Sequence, residues 1–323
     1  MFKKKALFAI VAAVISLLSA SSIFSAETWH LEQGRQWKAV SAEGKDKYLL
    51  AVAEIKKLVN TGQTEAVGRA IDKLKKDFPE IAGPDLDAFM KAEMLFCEGK
   101  FVKAVRGYDK FLAEFPESEL YEAALDRQFS IATAFLAGQK KPIFKVFKIK
   151  GYAEGEKIME RIGDRAGDAP IGMKAAVAVA QSYERRKKFD EAYDEWSQIS
   201  SRWPTGQMGK EALLAMARCK HAAHKGPEYD ASNLISAKSY YEKFKLLHIK
   251  DAEEIDVDKI LEQIDEQLAY KQFSIGEYYQ KMGNKQSADF YYQIVVDNWP
   301  KSTAAKMVKE MMNKNLSGEK IKK

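Results

Sequence analysis

Four times this chain brings an amphipathic stretch to a stop on an aromatic residue followed by proline: Phe78-Pro79, Phe115-Pro116, Trp203-Pro204 and Trp299-Pro300. Upstream of each stop the stripe positions advance by +3, +4, +3, +4. The first set is Thr64, Val67, Ile71, Leu74 and Phe78; the second is Phe101, Ala104, Tyr108, Phe111 and Phe115. The third is Phe189, Ala192, Trp196, Ile199 and Trp203, and the fourth is Lys285, Ala288, Tyr292, Val295 and Trp299. In a helix of 3.6 residues per turn this spacing lays one stripe along one face. Proline lacks an amide donor and collides with the preceding turn, so each helix must end there. A helix so short buries its stripe only against copies of itself, and the chain is therefore a repeat protein.

Each stop pairs with a preceding helix that carries small residues where helices approach closely. Ala88, Ala92 and Leu95 precede the turn Glu98-Gly99-Lys100; Ala176, Ala180 and Tyr183 precede Arg186-Lys187-Lys188; Ile275, Gly276 and Tyr279 precede Met282-Gly283-Asn284. Gly62, Gly99 and Gly283 supply the left-handed residue that closes a helix. Pro79 and Pro116 are 37 residues apart, and Pro170 and Pro204 are 34 apart. The longer gaps hide altered repeats. Between Pro116 and Pro170 the sequence predicts a helix from about Glu119 to Ala137, the inserted segment GQKKPIFKVFKIKG, and a helix near Tyr152–Arg165. Between Pro204 and Pro300 a helix near Gly209–His224 leads into Leu234, Ala237, Tyr241, Phe244 and His248, a fifth stripe without its proline. The expected architecture is all-α: a solenoid of about six helix pairs over residues 46–315, with a capping helix from about Thr303 to Asn315. The last pair has an extended first helix, about Val257 to Lys281. Residues 27–45, with Trp29 and Trp37, form an extension expected to pack as a cap, and 316–323 read as a disordered tail.

Lys3, Lys4 and Lys5 precede an apolar run from Ala6 to about Phe24, the pattern of a secretory signal over residues 1–26. Small residues favour a cut after Ala26, with a cut after Ser22 as the alternative and a retained membrane anchor as the competing reading. Residues 1–26 carry three lysines and no acid, so the formal charge falls from +6 to +3 without them. With both signs interspersed and no arginine-rich block, the composition argues against a nucleic-acid partner. Cys97 and Cys219 each fall in an apolar helical stretch and read as free, buried thiols, a single long-range bridge being the other pairing.

The small, aromatic, Gly, Ala, aromatic and Pro positions of Gly99, Phe101, Ala104, Tyr108 and Pro116, repeated from Ala180 to Pro204 and from Gly276 to Pro300, resemble the tetratricopeptide consensus. That resemblance implies a right-handed superhelix of antiparallel helix pairs whose first helices line a peptide-binding groove. A narrower resemblance rests on FPES at 115–118, WPKS at 299–302, the extended third repeat and the late helix KQFSIGEYYQKMGNKQSADFYYQIVVDNWPKS. It is similar to the BamD-like outer-membrane assembly lipoproteins, and more loosely to Tol-Pal-associated periplasmic repeat proteins of cell division. The resemblance covers about residues 45–312 and implies binding to other envelope proteins or peptides without catalysis. The chain departs from the group in having no cysteine near the signal to accept a lipid. The expected location is exported, periplasmic or outer-membrane associated, without a lipid anchor on a visible cysteine.

By the same resemblance, the non-core residues of the first helices are the binding candidates: Phe89, Glu93, Gln181, Glu184, Glu277 and Gln280. Their polar and acidic character suggests a peptide with some basic residues. In the inserted segment, Lys140, Lys141, Lys145, Lys148 and Lys150 interleave with Ile143, Phe144, Val146, Phe147 and Ile149. Such a pattern adds to a partner's sheet edge or lies on anionic lipid headgroups, with Lys145 and Lys148 as the contacts; as a plain connection it packs its apolar side on neighbouring helices. His221 and His224, near Cys219, are too few and too badly phased for a metal site. No phosphate-cradling loop, nucleophile elbow or calcium loop occurs. No cofactor or metal is expected, and an enzyme with a site across the groove is the less favoured reading. Tyr108, Trp196 and Tyr292 are assigned to the core by their spacing beside Ala104, Ala192 and Ala288.

Overall fold

The computed structural model describes residues 29–31, 37–39, 42–79, 82–142 and 148–319. The signal segment and Lys145 lie outside the described residues. The chain divides into two compact units, one ending at Gly99 and the other beginning at Lys100.

The first unit opens on a hairpin in which β1 (Trp29–Leu31) pairs antiparallel with β2 (Trp37–Ala39). Three helices follow: α1 (Ala42–Asn60), α2 (Thr64–Asp77) and α3 (Pro84–Cys97). The stripe residues Val67, Ile71 and Leu74 of α2 are buried, as are Ile55 and Val59 of α1 and Leu86 and Met90 of α3.

In the second unit the helices are α4 (Phe101–Glu114), α5 (Tyr121–Leu136), α6 (Tyr152–Ala166), α7 (Pro170–Arg185), α8 (Phe189–Arg202), α9 (Gly206–Ala223) and α10 (Ser232–Leu247). They continue with α11 (Ile249–Glu254), α12 (Val257–Lys281), α13 (Lys285–Asn298) and α14 (Thr303–Glu319). From α4 to α10 each helix packs on the next, and α5 also meets α7, the first-helix contact that stacks one hairpin on another. A second hairpin, β3 (Lys140–Pro142) with β4 (Lys148–Lys150), projects between α5 and α6. The two short hairpins are additions to the all-α architecture the sequence predicts, and the short α11 is a further helix that it does not separate. Three-residue strands and a six-residue helix are too short for periodicity to register. The last helix runs to Glu319, into the residues expected as tail.

The aromatic-Pro stops have one geometry. The C-caps Phe78, Phe115, Trp203 and Trp299 sit between φ −126° and −135° with ψ between 59° and 71°, and each cap amide donates to the carbonyl four residues back. A residue before proline is excluded from the helical region, which explains four of these caps. His248 has φ −135° and ψ 60° and donates to Phe244 O without any proline following. The fifth stripe therefore ends as the others do, with Leu234, Ala237, Tyr241 and Phe244 buried.

Four of the helix-to-helix turns also share a geometry, one of them with a different residue type. Gly62, Gly99 and Gly283 have φ of 70°, 71° and 75°, while the equivalent residue of the α7–α8 turn is Lys187, at φ 58°. A Cβ in this region costs roughly 1–2 kcal/mol relative to glycine.

The largest buried side chain, Trp196, anchors a cluster with Ala180, Ala192, Ile199, Ala212, Met216 and Cys219. Tyr108 is likewise buried, and Tyr292 packs with Phe273, Ala288 and Val295 under α14, whose Ala304, Ala305 and Val308 close that end. Both cysteines are free. Burial first, then the nearby Glu184 carboxylate, raises the Cys219 thiol to about 12. Cys219 is therefore expected to resist alkylation at pH 8 in the folded protein and to react once denaturant is added, read by mass spectrometry. Labelling at the rate of a free thiol in the native state would contradict its place in the core.

Candidate functional site

The first helices of the second unit do form a groove. A cavity of about 310 Å³ is lined by Phe129, Thr133 and Leu136 of α5, by Met173, Lys174, Val177, Ala178, Gln181 and Arg185 of α7, and by Met208 of α9. The helical spacing of Met173, Val177 and Gln181 turns one face of α7 outward between its neighbours. The floor is apolar, and the only charged lining residues are cations. Lys174 and Arg185 are exposed and, among the described residues, have no ion-pair partner.

The expected site residues part company here. Gln181 is exposed and lines the groove. Glu184 is not offered to a ligand: its Oε1 accepts from Trp196 Nε1 at 2.6 Å, and its Oε2 pairs with Arg218 Nη2 at 3.1 Å. Gln280 holds the corresponding place in the last hairpin, where its Oε1 accepts from the Tyr292 hydroxyl at 2.7 Å. Both residues clasp the aromatic of the second helix to the first, because a buried indole or phenol needs a polar partner. Glu277 is half-buried and sits near the Tyr292 hydroxyl, whose pKa is raised by burial and then by this carboxylate. Phe89 and Glu93, expected on an open face of α3, are buried, Glu93 to 3% exposure. The sequence missed this because the apolar faces of α3 run almost all round the helix. The groove therefore lacks the acidic character the sequence suggested.

A polar network that no motif marks ties α4, α5 and α6 together. Fully buried Gln128 donates to Asp109 Oδ1 at 2.9 Å, and Arg165 Nη1 reaches the same oxygen at 2.7 Å. Arg161 Nη2 lies 3.4 Å from Asp109 Oδ2. Three donors around one carboxylate satisfy it in place, a structural role.

The expected basic contact Lys148 is exposed on β4. Lys141 pairs with Glu154 at 2.8 Å and pins the hairpin to α6. Tyr152, at the start of α6, has Lys150 Nζ 5.6 Å and Arg186 Cζ 4.6 Å from its ring centre. Arg186 also lies 4.5 Å from the Tyr183 ring and bonds Glu156 Oε1 at 2.5 Å. Cation–π contacts of this kind hold the hairpin base beside the α7–α8 turn. The runs 140–150 and 185–188 are plain in the sequence; nothing in it places them side by side.

His221 Nε2 bonds Gln267 Oε1 at 3.1 Å, and among the described residues no group of three His, Cys, Asp or Glu is placed to hold a metal ion. The Glu195 carboxyl is raised chiefly by burial and then by Glu156, Asp194 and Glu160. No described helix is long and apolar enough to cross a membrane.

Residues 272–302, from the second half of α12 through α13 to Ser302, match the family model for a tetratricopeptide repeat. The chain carries a tetratricopeptide repeat. No curated protein matches it significantly. Among solved structures it is similar to the C-terminal part of a TPR repeat-containing protein from Cytophaga hutchinsonii, at 16% identity over 82% of this chain and 95% of that one, with a TM-score of 0.35. It is also similar to PilW, a type IV pilus biogenesis factor, at 15% identity over 83% and 99% with a TM-score of 0.29. The apo form of RapI aligns at 11% identity over 82% and 99%, with a TM-score of 0.36.

Proposed function

We propose that this chain is a non-catalytic protein-binding scaffold of the bacterial cell envelope that receives a peptide segment of its partner in the α5–α7–α9 groove. The observation that carries the reading is the apolar floor of Phe129, Val177 and Met208 flanked by Lys174 and Arg185. Apolar anchors with a few placed charges are what an amphipathic peptide docks into. The lining cations call for a peptide with acidic flanks, in place of the basic one expected from Glu93 and Glu277. The envelope assignment rests on the signal-like residues 1–26. The finer reading, a BamD-like component of outer-membrane protein assembly, rests on the FPES and WPKS stops and the extended α12.

A photo-cross-linking residue at Val177 or Gln181 in living cells, compared with one at exposed Gln198 on α8, tests both levels. Discrete protein adducts are expected at 177 and 181 and none at 198. Lys174→Glu with Arg185→Glu is expected to weaken those adducts at least tenfold. Adducts at all three positions, or at 198 alone, would remove the groove. Identification of the adducts as barrel-assembly proteins supports the finer reading, and adducts with cytoplasmic proteins alone would overturn the envelope assignment.

A further inference from the structure

We propose that the cleft formed by the end of α10, by α11 and by the start of α12 docks a cationic amphipathic helix of a partner protein, a second interaction surface separate from the α5–α7–α9 groove. The cleft has a volume of about 760 Å³, and its apolar lining is Leu246, Ile249, Ala252, Val257 and Leu261. The stripe that α10 buries ends on Phe244, so Leu246, two residues on, points about half a turn away from the core. Leu246 is 77% exposed and Ile249 62%. Leu247 and Ile255, beside them in the chain, are exposed as well. A single exposed aliphatic is ordinary, whereas four within ten residues, bordered by charge, mark a contact surface.

The charge around these aliphatics is acidic. Glu242, Glu253, Asp256 and Asp258 line the cleft against one cation, Lys245, and that lysine is engaged by Asp258. Asp256 is used in capping α12 through Lys259 N. Glu242 and Glu253 are exposed and, among the described residues, have no cation partner. Lys210, reaching over from α9, is held by Asp251, while Lys243, Lys250 and Lys259 lie outside the lining. Over residues 242–262 seven acids stand against four lysines. Such a lining repels an anionic phospholipid surface and any polynucleotide. A two-fold contact with a second copy would set Glu242 and Glu253 against their own kind. The walls are helices whose backbone groups are bonded within themselves, so an extended peptide finds no strand edge, and no aromatic ring lines the cleft to receive a proline-rich segment. A helix brings its own backbone bonds, lays an aliphatic stripe on Leu246 and Ile249, and sets lysines or arginines beside Glu242 and Glu253.

The probe is a fluorescein-labelled peptide of leucine and lysine, about fourteen residues or roughly four turns long with its leucines at helical spacing, titrated with the full chain and read by anisotropy. Two further peptides accompany it: one of the same composition in alternating order, which favours a strand, and one with glutamate in place of every lysine. The helical leucine–lysine peptide is expected to bind about tenfold tighter than either. Leu246→Ser with Ile249→Ser, and separately Glu242→Lys with Glu253→Lys, are each expected to weaken it about tenfold, and the thermal midpoint is expected to hold because all four side chains are exposed. Asp289→Lys with Asp297→Lys, the same charge change on α13, is expected to leave binding within about twofold. Equal binding of the alternating peptide would remove the helix, and equal loss in the α13 variant would reduce the effect to net charge. Self-association of the full chain that Leu246→Ser with Ile249→Ser abolishes would put a second copy in the cleft. Each of these three results overturns the proposal. Lys174 and Arg185 repel this probe, so the outcome is independent of the cross-links that test the α5–α7–α9 groove.

Discussion

Trp196→Ala is expected to destabilise the second unit by about 3–5 kcal/mol, as for other large aromatics removed from a packed core. The indole is fully buried among Ala180, Ala192, Ile199, Ala212, Met216 and Cys219, so its removal opens a cavity walled by three helices. Its Nε1 also donates to Glu184, which keeps only Arg218 once the indole is gone. Trp196→Phe separates the two contributions, because it retains most of the packing and loses only the hydrogen bond, at about 1–3 kcal/mol. Denaturant midpoints measure both. A loss under about 1 kcal/mol for the alanine variant would mean that Trp196 is not the anchor of the α7–α8–α9 core, and the register of the repeats would have to be redrawn.

Gly209→Ala is expected to destabilise by about 1–3 kcal/mol, the usual effect of overpacking. The sign is the informative part, since alanine in a helix ordinarily gains up to about 1 kcal/mol over glycine. At Gly209 a Cβ would lie 2.4 Å from the carbonyl oxygen of Pro204 and 3.0 Å from that of Trp203. Backbone cannot swing aside as the end of a lysine can. Gly172 repeats the arrangement one hairpin earlier, where a Cβ would meet the Gly167 oxygen at 2.4 Å. Gly163, in the interior of α6, has nothing within 4 Å of its Cβ position, so Gly163→Ala is expected to raise stability. Thermal melts of the two variants should move in opposite directions, and movement in the same direction would show that the close approach after the aromatic-Pro stop does not exist.

These two residues also show how legibility in the sequence divided. The stripe that ends on Trp203 is a local property: positions three and four apart meet on one helix face whatever that face later packs against. Trp196 could therefore be assigned to the core before any contact was known, and Leu234, Ala237, Tyr241 and Phe244 could be read as a fifth stripe without its proline. The helix after Trp203-Pro204 was legible too, near Gly209–His224, and it spans Gly206–Ala223. The close approach at Gly209 was not, because it depends on where the chain returns after the stop.

The candidate site was less legible, for the same reason. Gln181 and Glu184 lie three apart on α7, and both read as groove residues. Gln181 faces the cavity, whereas Glu184 turns toward the indole twelve residues on and becomes part of the core's polar rim. Glu93 is charged and nonetheless buried. Charge alone predicts exposure on average and fails where a neighbouring helix covers the residue.

The helices, their stops and the aromatics they bury follow from local chain chemistry, since periodicity of 3.6, proline geometry and the left-handed turn are fixed within a few residues of chain. Tertiary packing alone makes the groove apolar and cationic and brings Lys150 and Arg186 over the Tyr152 ring. Those juxtapositions join residues tens of positions apart, and they depend on how helix stacks on helix and on the Arg186 contacts with Tyr152 and Tyr183 that no local rule specifies.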